Sequence, residues 1–190
     1  AWHFKARSRK DSRKRLGINK NSKIIGFIGR FVREKGLPYL IGSLPKILEK
    51  YPKAKLVLAG DHKDVAGGSI VDEIKEQVKE FKEDILIAGH VKYDDLPFFY
   101  SACDAIVLPS IDKIESFGIV QVESMLCGIP VIASNLPGVR VPIKKTAMGV
   151  LVKPNDSSSI ANAVIMVLGN KAKFKANRRR LIKAFDALSG

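Results

Sequence analysis

Short apolar runs alternate with amphipathic stretches along most of the chain. Lys23 to Gly29 is a nearly continuous apolar run closing on glycine, the pattern of a strand buried on both faces. After a polar loop, Leu37, Leu40, Ile41, Leu44, Ile47 and Leu48 fall on one face of an expected helix that Pro52 ends. Leu56–Gly60 and Ile85–Gly89 read as further strands, separated by a helix capped by Ser69 with a stripe of Ile70, Ile74, Val78 and Phe81. A short helix over 94–102 leads to strand 105–108, and a helix over 116–127 leads to strand 130–133. Strand 149–152 and a Ser/Asp-capped helix over 157–168 follow, and a last basic helix is expected over about 172–187. Short apolar strands alternating with helices predict an α/β fold: a doubly wound, Rossmann-like parallel sheet of about six strands. Such sheets bind ligands outside the carboxyl ends of their strands.

Charge divides the chain. The net charge of +14 would suggest nucleic acid or an anionic membrane. Residues 1–23 carry nine Lys/Arg and one acid, residues 171–190 carry seven and one, and residues 24–170 carry seventeen of each sign. The balanced centre is therefore the expected functional domain, with a basic leading segment at 1–22, a ligand-binding domain at 23–170 and a basic C-terminal helix at 171–190. Hydrophobic residues at 46% exclude disorder, and no apolar run approaches the roughly 20 residues of a membrane span. The leading segment lacks the apolar core of a secretory signal. Cys103 and Cys127 lie in apolar stretches and read as buried thiols, which fits a reducing cytoplasm. His3, His62 and His90 are too far apart for a structural zinc site, and no metal site is expected.

The candidate chemistry lies in loops that follow strands. Neither G-x-G-x-x-G nor G-x-x-x-x-G-K-[ST] is present, which argues against a nicotinamide enzyme or a P-loop ATPase. Arg30 and Lys35, five residues apart after the first strand, could neutralise a diphosphate or simply be solvated loop cations. The segment from Pro109 to Glu123 runs from a strand end into a helix. The amides near Phe117, Gly118 and Ile119 would form an anion site. Glu115 precedes that helix and Glu123 lies within it, on the order of 12 Å apart at a helical rise. Two such carboxylates could hold the hydroxyls of an elongated ligand or be ordinary helix-start and surface acids. Asp104 reads as a structural hydrogen-bonding group, His62 as a solvated loop residue, and Ser116 as a helix-start residue rather than a nucleophile.

Taken in order, these motifs resemble the retaining glycosyltransferases of family four, the "glycosyl transferases group 1". The resemblance is carried by Gly29-Arg30 with Glu34-Lys35-Gly36, by Gly89-His90-Val91 with Leu96, Tyr100 and Ala102-Cys103-Asp104, and by Leu108-Pro109-Ser110. It continues through Glu115 and Glu123 as an E-x7-E pair with Phe117-Gly118, through Gly128–Ala133, and through Gly149–Asp156. It implies the C-terminal, donor-binding half of a GT-B fold. By resemblance Arg30 and Lys35 bind the diphosphate of a nucleotide-diphosphate sugar (UDP-, GDP- or ADP-linked), and Glu115 holds the transferred sugar. Amides at Phe117, Gly118 and Ile119 meet phosphate and sugar, Glu123 accepts the ribose hydroxyls, and the main chain at His90 and Val91 borders the base. No cofactor or metal is implied, because Arg and Lys stabilise the leaving diphosphate.

Two loops depart from the family pattern. Asn135 to Pro142 keeps one glycine of the usual pair, and Val141 stands where an acid is usual. Gly60-Asp61-His62-Lys63 also lacks a second glycine. The acceptor-binding N-terminal domain of such enzymes is the expected partner, so the chain is expected to bind nucleotide and transfer little sugar alone. The basic ends are expected to meet that domain or the cytoplasmic face of an anionic membrane, with nucleic acid disfavoured. Two alternatives remain open at this point: half of a GT-B nucleotide-sugar epimerase, and a basic nucleotide- or nucleic-acid-binding module.

Overall fold

The computed structural model describes residues 3–19, 21–61, 69–112, 117–170, 172–174, 181 and 183. All six expected strands form: β1 (Ile24–Ile28), β2 (Lys55–Ala59), β3 (Ile85–Gly89), β4 (Ala105–Leu108), β5 (Val131–Ser134) and β6 (Gly149–Val152). They make one parallel sheet in the order β3-β2-β1-β4-β5-β6. The chain winds outward from β1 toward β3, returns to the centre, and winds outward again from β4. The strand order reverses between β1 and β4, and in sheets of this kind the ligand crevice lies at that switch point, outside the carboxyl edge or rim.

Alternation along β1 explains the two cores. Ile25 and Phe27 face one side and Ile24 and Ile28 the other. The first side is covered by α2 (Leu37–Ile41), α3 (Leu44–Lys50), α4 (Val71–Glu80) and α8 (Ser157–Gly169). The second is covered by α1 (Arg9–Arg15), α5 (Leu96–Ala102), α6 (Ile119–Leu126) and α7 (Val141–Thr146). Gly26 lets α5 approach, since a Cβ there would lie 2.6 Å from both Cys103 Sγ and Ile106 Cδ1. Both cysteines are buried thiols outside any disulfide, as their surroundings in the sequence predict.

The structure corrects several expectations. The helix expected over 37–48 is two helices, α2 and α3, parted at Gly42-Ser43. The N-cap of α4 is Ile70 rather than Ser69, although Ser69 Oγ accepts from the Val71 amide at 3.2 Å. β3 is an edge strand, and its Leu86 and Ile87 are 38% and 42% exposed instead of buried. The helix expected from residue 116 starts at Ile119.

The basic leading segment is docked, not solvated. Asp104 sits just before β4, at the amino edge or base of the sheet. Its Oδ2 accepts from the Ile24 amide at 2.7 Å and from buried Arg13 at 3.0 Å, and Oδ1 pairs with Arg9. Arg13 also donates to the Ala102 carbonyl at 3.1 Å. Asp104 thus has the structural role expected of it. Arg15 lies 3.8 Å over the Phe98 ring and pairs with Asp95, fixing α1 along α5. At the other terminus most of the expected helix lies outside the described residues. Phe174 joins the first core and Leu181 the second, so neither is free to face a membrane. Among the described residues no helix is long and apolar enough to cross a membrane.

Candidate functional site

The rim loops are tied into a continuous arc. At its β3 end, the Gly60 amide donates to the Gly89 carbonyl at 2.8 Å, and His90 Nδ1 lies 2.9 Å from Asp61 Oδ1. The Phe31 amide donates to the Asp61 carbonyl at 2.9 Å, joining the β2 loop to the β1 loop. The Ile111 amide donates to the Glu34 carbonyl at 2.9 Å, joining the β1 loop to the β4 loop. Gly36 makes that last approach possible: its φ is 68°, and a Cβ there would lie 2.1 Å from the Pro109 carbonyl oxygen.

Arg30 and Lys35 stand on the β1 loop beside the crevice. Arg30 is half exposed, with its guanidinium 3.9 Å from Glu34, and Lys35 is partly buried with its stem near Gly29. An exposed pair at that distance contributes little to stability. His90 and Val91 lie at the far end of the arc, lining a groove of about 440 Å³ with Ala88, Phe98 and Arg15. The Asp61 contact engages the His90 ring.

The start of α6 faces the crevice. Gly118 is its left-handed N-cap at φ 68°, and a Cβ there would lie 2.4 Å from Leu108 Cδ2. Glycine is required for both reasons. The first-turn amides of Ile119 and Val120 have no acceptor earlier in the helix, as at any helix start. Gln121, fully buried, donates from Nε2 to the Phe117 carbonyl at 3.0 Å and the Val139 carbonyl at 2.9 Å. This amide clamps the start of α6 to the loop that departs from the family pattern. A polar residue among Ile119, Val120 and Val122 is the signal that could have found it.

Glu123 is the fifth residue of α6, just over one turn inside it. It is half-buried, and the Tyr100 hydroxyl donates to its Oε2 at 2.6 Å. Burial pushes the Glu123 carboxyl above the ordinary carboxylate value; the Tyr100 hydrogen bond and nearby His3 pull it back. Burial foremost, then the Glu123 carboxylate, drives the Tyr100 phenol far upward, so it stays a donor. The leading segment reaches this place too: His3 stacks on Tyr93 at 4.3 Å, and Phe4 meets Tyr100 edge-on at 6.1 Å. Glu115, Ser116 and His62 lie outside the described residues. The 12 Å spacing assumed a helical rise over all eight steps; α6 begins at Ile119, and the position of Glu115 lies outside the described residues. Tyr100, Gln121 and Asp61 are the residues of this rim whose roles sequence reasoning missed.

Comparison with known proteins agrees with this geometry. The family described as "Glycosyl transferases group 1" matches residues 8–185. An uncharacterised glycosyltransferase of Methanocaldococcus jannaschii is 36% identical over 160 residues, covering 83% of this chain and 39% of that protein. A solved structure of Anabaena HepE in complex with UDP-glucose superposes with a TM-score of 0.83 at 26% identity, covering 98% of this chain and 51% of that one. The C-terminal domain of the group 1 protein LpcC from Francisella tularensis superposes with a TM-score of 0.77 at 25% identity, covering 97% and 94%. The chain spans between 38% and 44% of the length of the curated relatives it matches. It belongs to the glycosyl transferases group 1 family and has the Rossmann-like architecture of the C-terminal half of a GT-B fold.

Proposed function

We propose that this group 1 glycosyltransferase domain is the donor-binding half of a retaining enzyme and takes a nucleotide-diphosphate sugar in its rim crevice. The observation that carries the reading is Glu123, a half-buried carboxylate just inside a helix whose glycine start opens on the crevice. Ionised carboxylates accept paired hydroxyls well, and an acid in this setting suits a ribose diol. The first-turn amides of α6 and the cations Arg30 and Lys35 then receive the diphosphate. Glu115 holds the hydroxyls of the transferred sugar, amides at Phe117, Gly118 and Ile119 meet phosphate and sugar, and the main chain at His90 and Val91 borders the base.

Chemically, Arg30 and Lys35 stabilise charge that grows on the diphosphate as the glycosidic bond breaks. The acceptor hydroxyl attacks the same face of the sugar that the diphosphate leaves, and a leaving phosphate oxygen takes its proton. The acceptor is supplied by a second, N-terminal domain, so the 190-residue chain binds nucleotide and transfers little or no sugar alone. The HepE complex makes UDP and UDP-glucose the first ligands to try. Family membership leaves the epimerase and nucleic-acid readings unsupported.

A melting panel with UDP, GDP and ADP tests the reading. At a hundredfold excess over Kd, one nucleotide is expected to stabilise the fold by about 2.7 kcal/mol. That corresponds to a melting shift of about 5–10 °C for a chain of this size. A folded protein that none of the three shifts would overturn it.

A further inference from the structure

We propose that Tyr100 is a positioning residue for donor binding: its hydroxyl holds one oxygen of Glu123 so that the other meets the ribose diol. The inference rests on the reading that Glu123 binds ribose and adds to it the group that aims Glu123. Tyr100 sits on α5, is fully buried, and donates to Oε2 at 2.6 Å. A hydroxyl bonded to an ionised oxygen at that length is a charge-assisted contact, stronger than a neutral one.

Geometry makes the donor rigid. The Tyr100 ring is packed edge-on by Phe4 at 6.1 Å and by Phe99 at 5.9 Å, so the hydroxyl has one place to be. Glu123 by contrast is only half-buried, on a flexible stem whose ordering costs rotamer entropy. The tyrosine meets that cost before a ligand arrives. A carboxylate offers about four lone-pair sites, so one hydroxyl leaves ample capacity for two from ribose.

The test compares two ligands across three proteins. The ligands are whichever of UDP, GDP and ADP binds tightest, and its 2′,3′-dideoxy counterpart. The proteins are the unmodified chain, Glu123→Ala and Tyr100→Phe. Tyr100→Phe is expected to weaken the ribonucleotide about fivefold, the worth of one ordinary hydrogen bond. It should leave the dideoxy nucleotide within about twofold of its original affinity. Equal losses for both ligands would make Tyr100 merely structural and overturn the proposal. So would no loss for either, provided Glu123→Ala removes the ribose preference. If Glu123→Ala keeps that preference, or none of the nucleotides binds, the reading of Glu123 falls and this inference with it. Phe4→Leu, which thins the packing behind the ring and spares the hydroxyl, is the second variant should Tyr100→Phe fold poorly. It should lower the ribose preference about twofold, and an equal loss for both ligands would again overturn the proposal.

Discussion

Asp104 and Glu123 lie on the same side of the sheet, one at its base and one toward its rim, and are held in opposite ways. Asp104 is fully buried and meets a backbone amide and two arginines, so its acceptor capacity is consumed by its own chain. Glu123 is half-buried and receives one hydroxyl. A buried carboxylate surrounded by donors of its own chain fixes the path of that chain. A carboxylate given one donor keeps acceptor capacity over, which under the proposed reading a ligand takes up. Residue type is the same chemistry in both; the number of satisfied lone pairs tells them apart.

The contrast can be broken by substitution, beginning at the base. Asp104→Ala strands the buried Arg13 charge and the Ile24 amide, and is expected to cost about 3–5 kcal/mol. Urea unfolding should record this, while the nucleotide affinity of the folded fraction stays unchanged. Gly118→Ala comes next: a left-handed backbone and the Leu108 contact put its cost at about 1–3 kcal/mol. It moves the start of α6, so nucleotide affinity should fall with stability in the same melting series. Lys35→Ala and Arg30→Ala should change stability by less than about 0.5 kcal/mol. Calorimetry should show each weakening the diphosphate about tenfold while leaving the bare nucleoside untouched.

The smallest change in stability has the opposite sign. The native Glu123 carboxyl titrates above its unfolded value, so the native state binds that proton more tightly. Stability from this group is present at low pH and declines as pH rises from the ordinary carboxylate value through the native one. Glu123→Gln removes that decline. At neutral pH it should melt slightly higher than the parent while its nucleotide-induced shift largely disappears. Melting curves across pH 4 to pH 8 check both halves, and a variant less stable at every pH would place Glu123 with Asp104 as a structural group.

The sheet was legible because its strands are short apolar runs bounded by glycine and proline, and all six appear where those runs fall. Two helices were not, nor was the place of one strand in the sheet, each for a local reason. α1 is Arg9-Lys10-Asp11-Ser12-Arg13-Lys14-Arg15, with no apolar stripe for periodicity to find; its buried contact is an arginine. α7 carries Pro142 in its first turn, which reads as a breaker although a proline is tolerated there. β3 looks like a central strand from its composition, since an apolar run does not disclose which strand lies at the edge. At the site, the place of the two cations on the β1 loop and of Glu123 on α6 was legible from the sequence. The Tyr100 contact was not, because it joins residues 23 apart across two helices. Asp61, through the His90 ring, and Gln121, through two carbonyls, likewise meet partners that only the folded loops bring near.

The leading segment touches both carboxylate sites. His3 and Phe4 rest against Tyr93 and Tyr100 toward the rim, and Arg9 and Arg13 grip Asp104 at the base. Mechanically this is a strap anchored at two points of unequal strength. Tension applied at residue 3 loads the stacked rings first and reaches the buried ion pair only after they yield. A modest pull would therefore loosen the packing behind Tyr100 while the sheet stays whole, and the Glu123 carboxylate would lose its fixed place before the fold gives way.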